Sequence, residues 1–151
     1  MLNNKFVLGW REWVGLPELG VARVKAKVDT GARTSTLHTF YVEPFVDAGV
    51  KRVRFGVHPH QGRTDIERHC IADVLDQREV TDSGGHRELR IFIRTWLIIS
   101  DNRLPIKITL TDRDTMRFRM LLGRTAMRGR FLVDPRRSFA AGEPRQSTMP
   151  F

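Results

Sequence analysis

The sequence predicts a mostly β fold, a small closed barrel or sandwich with one short helix near the C-terminus. Two observations carry this. Apolar and polar residues alternate with period 2 in many short segments, the mark of half-buried strands. Clusters of Gly, Pro, Asp and Asn separate those segments at short intervals, as in barrels and sandwiches.

In chain order, strands are expected at Phe6–Leu8, Val21–Val28, Phe40–Phe45, Arg52–Val57, Arg68–Val74, Leu89–Ile99, Ile106–Thr111, Met116–Leu122 and Phe131–Val133. Val24, Ala26 and Val28 against Arg23, Lys25 and Lys27 give the clearest alternation. Turns fall at Pro17–Gly20, Asp47–Gly49, His60–Gly62, Asp82–Gly85 and Asp101–Arg103. Gly84-Gly85 suits a hairpin tip because glycine takes positive φ freely. Thr125–Arg128 is the expected helix, with Gly129 as its stop. At 151 residues the chain is read as one domain over 1–135, large enough for a core without staples. From Arg136 the composition turns to Arg, Ser, Gly, Pro and Gln, so 136–151 is expected to be a flexible tail.

Composition bounds the function. A single cysteine, Cys70, excludes an internal disulfide framework and fits a reducing compartment. No leader pattern and no membrane-length apolar run is visible, so the cytoplasm is the expected location. The formal net charge is +9, and 21 of the 26 basic residues are arginine. Arginine favours bidentate contact with carboxylate or phosphate. Nucleic acid ranks low as a partner because no nucleic-acid module pattern is present. An acidic polypeptide and an ordinary solvated basic surface both remain open.

Asp29-Thr30-Gly31-Ala32 closes the Arg23–Val28 strand, so the Asp29 carboxylate emerges from a strand end. Thr30 supplies a hydroxyl, and Gly31 permits a tight turn. An acid held at the floor of a cleft and a plain Asx turn both fit these four residues. Downstream, Leu121-Leu122-Gly123-Arg124 ends a second strand. Asp-Thr-Gly-Ala followed by two apolar residues and Gly-Arg resembles the retropepsin-like aspartic endopeptidases. Leu8–Val14, Lys25–Ser35, Gly85–Arg90 and Leu121–Arg124 are similar to one bacterial branch. That branch is also labelled an ATP-dependent zinc protease, and it is associated with the ligase that adds glutamates to a ribosomal protein. The resemblance covers roughly Leu8 to Pro135.

The resemblance implies a closed acid-protease barrel in which the Leu-Leu-Gly strand crosses beside the Asp29 loop. It implies catalysis by Asp29, with Thr30 locking paired loops and Gly31 offering backbone to a peptide or protein substrate. Ala32, Arg33 and Arg124 would flank that substrate, and Gly84, Gly85 and His86 would form a flap. The chain from Asp29 to Arg124 is much longer than in viral retropepsins, so extra strands are expected within Phe40–Val80, and the His58–Thr64 loop is a second flap candidate. Two carboxylates must share one proton in this chemistry. One Asp-Thr-Gly per chain therefore implies a homodimer with Asp29 facing Asp29; Asp112 or Asp114 is the alternative within one chain. Viral retropepsins carry an acid directly after Asp-Thr-Gly-Ala, where this chain has Arg33. That departure points to acidic substrates, such as a glutamate-extended protein. A non-catalytic module regulating the glutamate ligase is the rival reading.

Neither zinc nor ATP finds support in the residues. No His-Glu-x-x-His helix, Cys-x-x-Cys pair or Gly-x-x-x-x-Gly-Lys loop occurs. His69 and Cys70 are neighbours on a strand and point to opposite faces. No metal and no cofactor are expected.

Overall fold

The computed structural model describes residues 6–60, 62–81, 84–112 and 117–145. Twelve strands and one short helix follow in order. They are β1 (Phe6–Leu8), β2 (Arg11–Leu16), β3 (Val21–Asp29), β4 (Ser35–Thr39), β5 (Tyr41–Asp47), β6 (Val50–Val57), β7 (Arg68–Asp73), β8 (Asp76–Thr81), β9 (Arg87–Ile99), β10 (Asn102–Asp112), β11 (Met120–Gly123), α1 (Arg124–Met127) and β12 (Phe131–Val133). Six of them close a barrel in the order β10, β4, β11, β3, β2, β9, with β9 pairing back onto β10. The expected closed barrel is thus present. β8 extends the wall beyond β9, β5–β6–β7 form a separate three-stranded sheet, and β1 pairs in parallel with β12. The additional strands expected within Phe40–Val80 are β5, β6 and β7.

Alternation builds the core. Val24, Ala26 and Val28 of β3 face inward with Leu37, Ile91, Ile93, Leu97, Ile99, Ile108, Leu110 and Leu122. Each valine, leucine or isoleucine among them contributes about 1.5–3 kcal/mol when fully buried. The β2–β3 register shifts between Val14 and Leu16, and Gly15 there pairs with Ile98 of β9. This bulge bends β2 so that one strand bridges both neighbours and the barrel closes. The β5–β6 hairpin turns through Ala48 (φ 50°) and Gly49 (φ 82°), two successive positive φ values that match the twist of the flanking strands.

Three strands lie outside the expected set, each for a physical reason. β2 carries Glu12, which is fully buried, at an inward position. β4 buries Ser35 and Thr39 with Leu37, and its polar inward residues are paired: Ser35 Oγ accepts from Gly123 N (3.0 Å), and Thr39 Oγ1 donates to Thr111 O (2.9 Å). β8, Asp-Gln-Arg-Glu-Val-Thr, is an edge strand of mostly polar residues. β11 is shorter than expected. It begins at Met120, after the fully buried Arg119, and the first residue of the expected strand, Met116, lies outside the described residues. α1 starts one residue earlier than expected, at Arg124.

The chain after Pro135 departs from the expected loose tail as far as Arg145. Trp10 N donates to Arg137 O (2.9 Å), and Phe139 N donates to Arg11 O (2.9 Å). Phe139 stacks on Trp13 at 5.4 Å. The Glu12 carboxylate accepts from Gly9 N (2.6 Å), Ala140 N (3.0 Å) and Ala141 N (3.0 Å). Glu143 pairs with Arg23 (3.2 Å), and Arg145 pairs with Asp101 (3.0 Å). Composition does not reveal this docking because the partners of the segment, Trp10 to Trp13 with the buried Glu12, Arg23 and Asp101, lie far upstream. Residues 146–151 lie outside the described set.

Candidate active site

Asp29 ends β3 and pairs in register with Gly123 of β11. Its Oδ1 accepts from Gly31 N (2.9 Å) and Ala32 N (3.2 Å), and Ala32 N also approaches Asp29 O (3.3 Å). This is an Asx turn, so the plain-turn reading describes the local geometry correctly. It also fixes one carboxylate oxygen on backbone donors while Asp29 stays half-buried beside exposed Thr30 and Gly31. Three consecutive carbonyls then anchor the loop. Gly31 O accepts from Arg124 Nη1 (3.2 Å), Ala32 O from Arg124 N (2.8 Å), and Arg33 O from Thr125 N (3.2 Å) and Thr125 Oγ1 (2.8 Å).

β11 threads between the strands that flank this loop, parallel to β3 and antiparallel to β4. Gly123 is where the crossing is tightest. A Cβ there would lie 2.6 Å from the Thr34 carbonyl carbon, a distance real Cβ atoms do not reach. Asp29, its turn and a glycine-tipped apolar strand passing beside it thus form one hydrogen-bonded unit.

The chain matches the RimB-like family, described as the retropepsin-like aspartic endopeptidase RimB, over residues 7–144. It belongs to that family. A protein of Shewanella pealeana named "Probable alpha-L-glutamate ligase" is 43% identical over 143 residues, covering 95% of this chain and 31% of that protein. A protein of the same name from Parasynechococcus marenigrum is 43% identical over 148 residues, covering 98% and 32%. The chain therefore spans about a third of the length of these relatives. A Legionella pneumophila protein of unknown function has the same fold, with a TM-score of 0.70, 24% identity, and coverage of 89% of this chain and 96% of that one.

Within this RimB-like chain, the remaining residues singled out from the sequence fall into three places. Arg33 lines a groove of about 290 Å³ together with Arg78 and Lys107. Arg78 pairs with Asp76 (2.8 Å) and lies over Phe92, as does Lys107. Among the described residues, the Arg33 guanidinium makes no hydrogen bond or ion pair, so its charge faces the groove. Sequence reading missed Arg78 and Lys107, which come from strands far from the Asp29 loop.

Gly84, Gly85 and His86 are exposed in the β8–β9 hairpin, which closes at Thr81 opposite Arg87; Asp82 and Ser83 lie outside the described residues. The β9 arm of this hairpin contributes Glu88 and Arg90 to a small pocket of about 150 Å³ shared with Thr36, His38 and Leu121. Leu121 belongs to the strand crossing beside Asp29. The rival His58–Thr64 loop starts at buried His58, and Arg63 O accepts from Arg119 Nη2 (3.3 Å).

Asp112 is the other acid considered. It sits opposite Thr39 on β4, whereas Gly123, the register partner of Asp29, lies against Thr34. Five residues along a strand span about 16 Å, too far for two carboxylates to share a proton. Asp114 lies outside the described residues.

The histidines group elsewhere. His69 Nδ1 meets Tyr41 OH (2.8 Å), His69 Nε2 meets Glu67 (3.1 Å), and Glu67 lies 3.7 Å from His58 Nε2. Cys70, on the opposite strand face from His69, is buried and donates to Leu19 O (3.4 Å). Among the described residues, no group of three or more His, Cys, Asp or Glu is arranged to hold a metal ion.

Proposed function

We propose that this protein is an aspartic endopeptidase that acts as a homodimer on acidic protein segments, glutamate-extended ones included. The observation that carries the reading is Asp29 at the end of β3, fixed by its own loop and braced by Leu121-Leu122-Gly123. The register that separates Asp112 from Asp29 supports a second carboxylate supplied from another chain. The second comes from Asp29 of another copy. One ionised Asp29 takes a proton from the attacking water, while the protonated one donates a hydrogen bond to the scissile carbonyl. Thr30 of each copy braces the facing loop, and the hairpin carrying Gly84, Gly85 and His86 covers the substrate. Arg33, Arg78 and Lys107 receive substrate carboxylates.

A second reading rests on the relatives. Their name, "Probable alpha-L-glutamate ligase", and their greater length support a role for a domain like this one as a binding module that regulates such a ligase. No helix of the described residues is long and apolar enough to cross a membrane, and a cytoplasmic site of action is part of the proposal.

The experiment is cleavage of a glutamate-extended peptide by wild type and by Asp29→Asn, with sedimentation to establish the dimer. Cleavage lost in the variant supports the endopeptidase. A monomer that binds the peptide without cutting it supports the binding module instead.

A further inference from the structure

A broad concavity lies outside the candidate active site, between the three-stranded sheet and the barrel. It measures about 530 Å³ and is lined by Leu19, Arg52, Ile71, Leu75, Arg94 and Trp96, among others. Thr95 also lines it and is 3% exposed. Among the described residues, the buried Thr95 Oγ1 and Arg52 Nε have no hydrogen-bond partner. Nor does the exposed Arg94 side chain make any hydrogen bond or ion pair within that set.

This concavity adjoins two others. Pro105 lines both it and the Arg33 groove. Arg52 and Val74 line both it and a smaller hollow of about 200 Å³ that includes Phe45, Val46 and Lys51. A single track therefore leads from Arg33, beside the Asp29 loop, across Pro105 to Arg94 and Arg52, and on to Lys51. Cations recur along it, and apolar surface lies between them. Four of the eight exposed large apolar residues among those described, Val46, Val50, Ile71 and Leu75, sit on the three-stranded sheet or just beyond its end. Glu18 and Asp73 line the middle section, so charge there is mixed. Arg52 Nε lies 3.5 Å from Asp73 and 3.9 Å from Asp47 in loose ion pairs, so among the described residues Arg94 is the cation of that section without one.

We infer that this track is a second binding surface for an extended acidic polypeptide, the part of a substrate that continues beyond the cleft. This rests on the endopeptidase reading for what the polypeptide is. The surface itself is argued from charge complementarity and from its continuity with the Arg33 groove. The extended segment lays apolar side chains on Ile71 and Leu75 and aims carboxylates at Arg94 and Lys51.

The test uses Asp29→Asn protein, so that peptides are held and not cut, and two acidic peptides sharing one core. One has about six residues and the other about fifteen, reaching roughly 20 Å and 50 Å when extended. The longer peptide is expected to bind about tenfold more tightly, because its second segment binds from a high effective concentration. Arg94→Glu and, separately, Ile71→Asp should abolish that gain and leave the short peptide's affinity and the melting temperature unchanged. A fifteen-residue neutral peptide should gain nothing over its own short form. Equal affinity for both acidic lengths, an equal gain for the neutral peptide, or equal loss for both acidic lengths in Arg94→Glu would overturn the inference. If wild-type protein cuts neither peptide while the Arg94-dependent length gain persists, the endopeptidase reading falls and the second surface stands.

Discussion

Asp29 was legible because it ends an unbroken alternation, and the structure puts it where that alternation stops. Asp29→Asn should abolish peptide cleavage and change the melting temperature by no more than a few degrees, because it keeps an acceptor for Gly31 N and Ala32 N. Wild-type activity should peak at acidic to mildly acidic pH, where a facing pair retains one proton. A pH–rate profile on both proteins checks this, and cleavage that survives in the variant would take Asp29 out of the mechanism. Glu12 was illegible. A lone acid in a short strand looks like surface, and two of its three backbone donors, Ala140 N and Ala141 N, lie at the far end of the chain. Glu12→Ala should cost about 3 kcal/mol, since it strands three buried or half-buried N–H groups. At this chain length that is about 10 °C in melting temperature by calorimetry. Cys70 gives a third outcome at this scale. Burial pushes its thiol up to about 11, so it stays a thiol at pH 8. A thiol reagent should leave folded protein unlabelled at pH 8 and label it once denatured; labelling at full rate in the fold would show that Cys70 is accessible.

Among elements, strands with apolar inward positions could be read from the sequence, and strands whose inward positions are polar could not. β9 announced itself through Ile91, Ile93, Leu97 and Ile99. β4 did not, because Ser35 and Thr39 are inward yet satisfied by partners 72 or more positions away. β8 stayed hidden because an edge strand needs polar side chains to resist pairing with other chains. Gly123 links this scale to the site, since its missing Cβ lets β11 pass Thr34. Gly123→Ala should force β4 and the Asp29 loop apart, with a loss of at least about 2 kcal/mol in chemical denaturation and a parallel loss of activity. Stability equal to wild type would mean that the crossing is looser than its geometry indicates.

At the scale of the whole molecule, the positive charge could be counted but not placed. The sequence pointed to Arg33; folding brings Arg78 and Lys107 to the same groove from strands with no sequence link to it. A Glu-rich peptide should bind more tightly than a neutral one of equal length, the difference should shrink as salt rises, and Arg33→Ala should remove most of it. Titrations at two salt concentrations check this. Equal affinities would reduce the charge to a solvated surface. Chelator treatment should leave both melting temperature and activity unchanged; a drop reversed by added zinc would make the Glu67 histidine group a metal site after all.

The parallel pair of β1 and β12 sets a timetable for biosynthesis. Phe6 waits for Phe131, and Glu12 waits for Ala140 and Ala141, so a growing chain offers β1 its strand partner only after nearly everything between has been translated. Pairings this remote in sequence are slow to form. A stalled ribosome displaying the chain only as far as Gly123 would hold Asp29 beside its glycine, yet leave β1 without its strand partner and the buried acid Glu12 facing water.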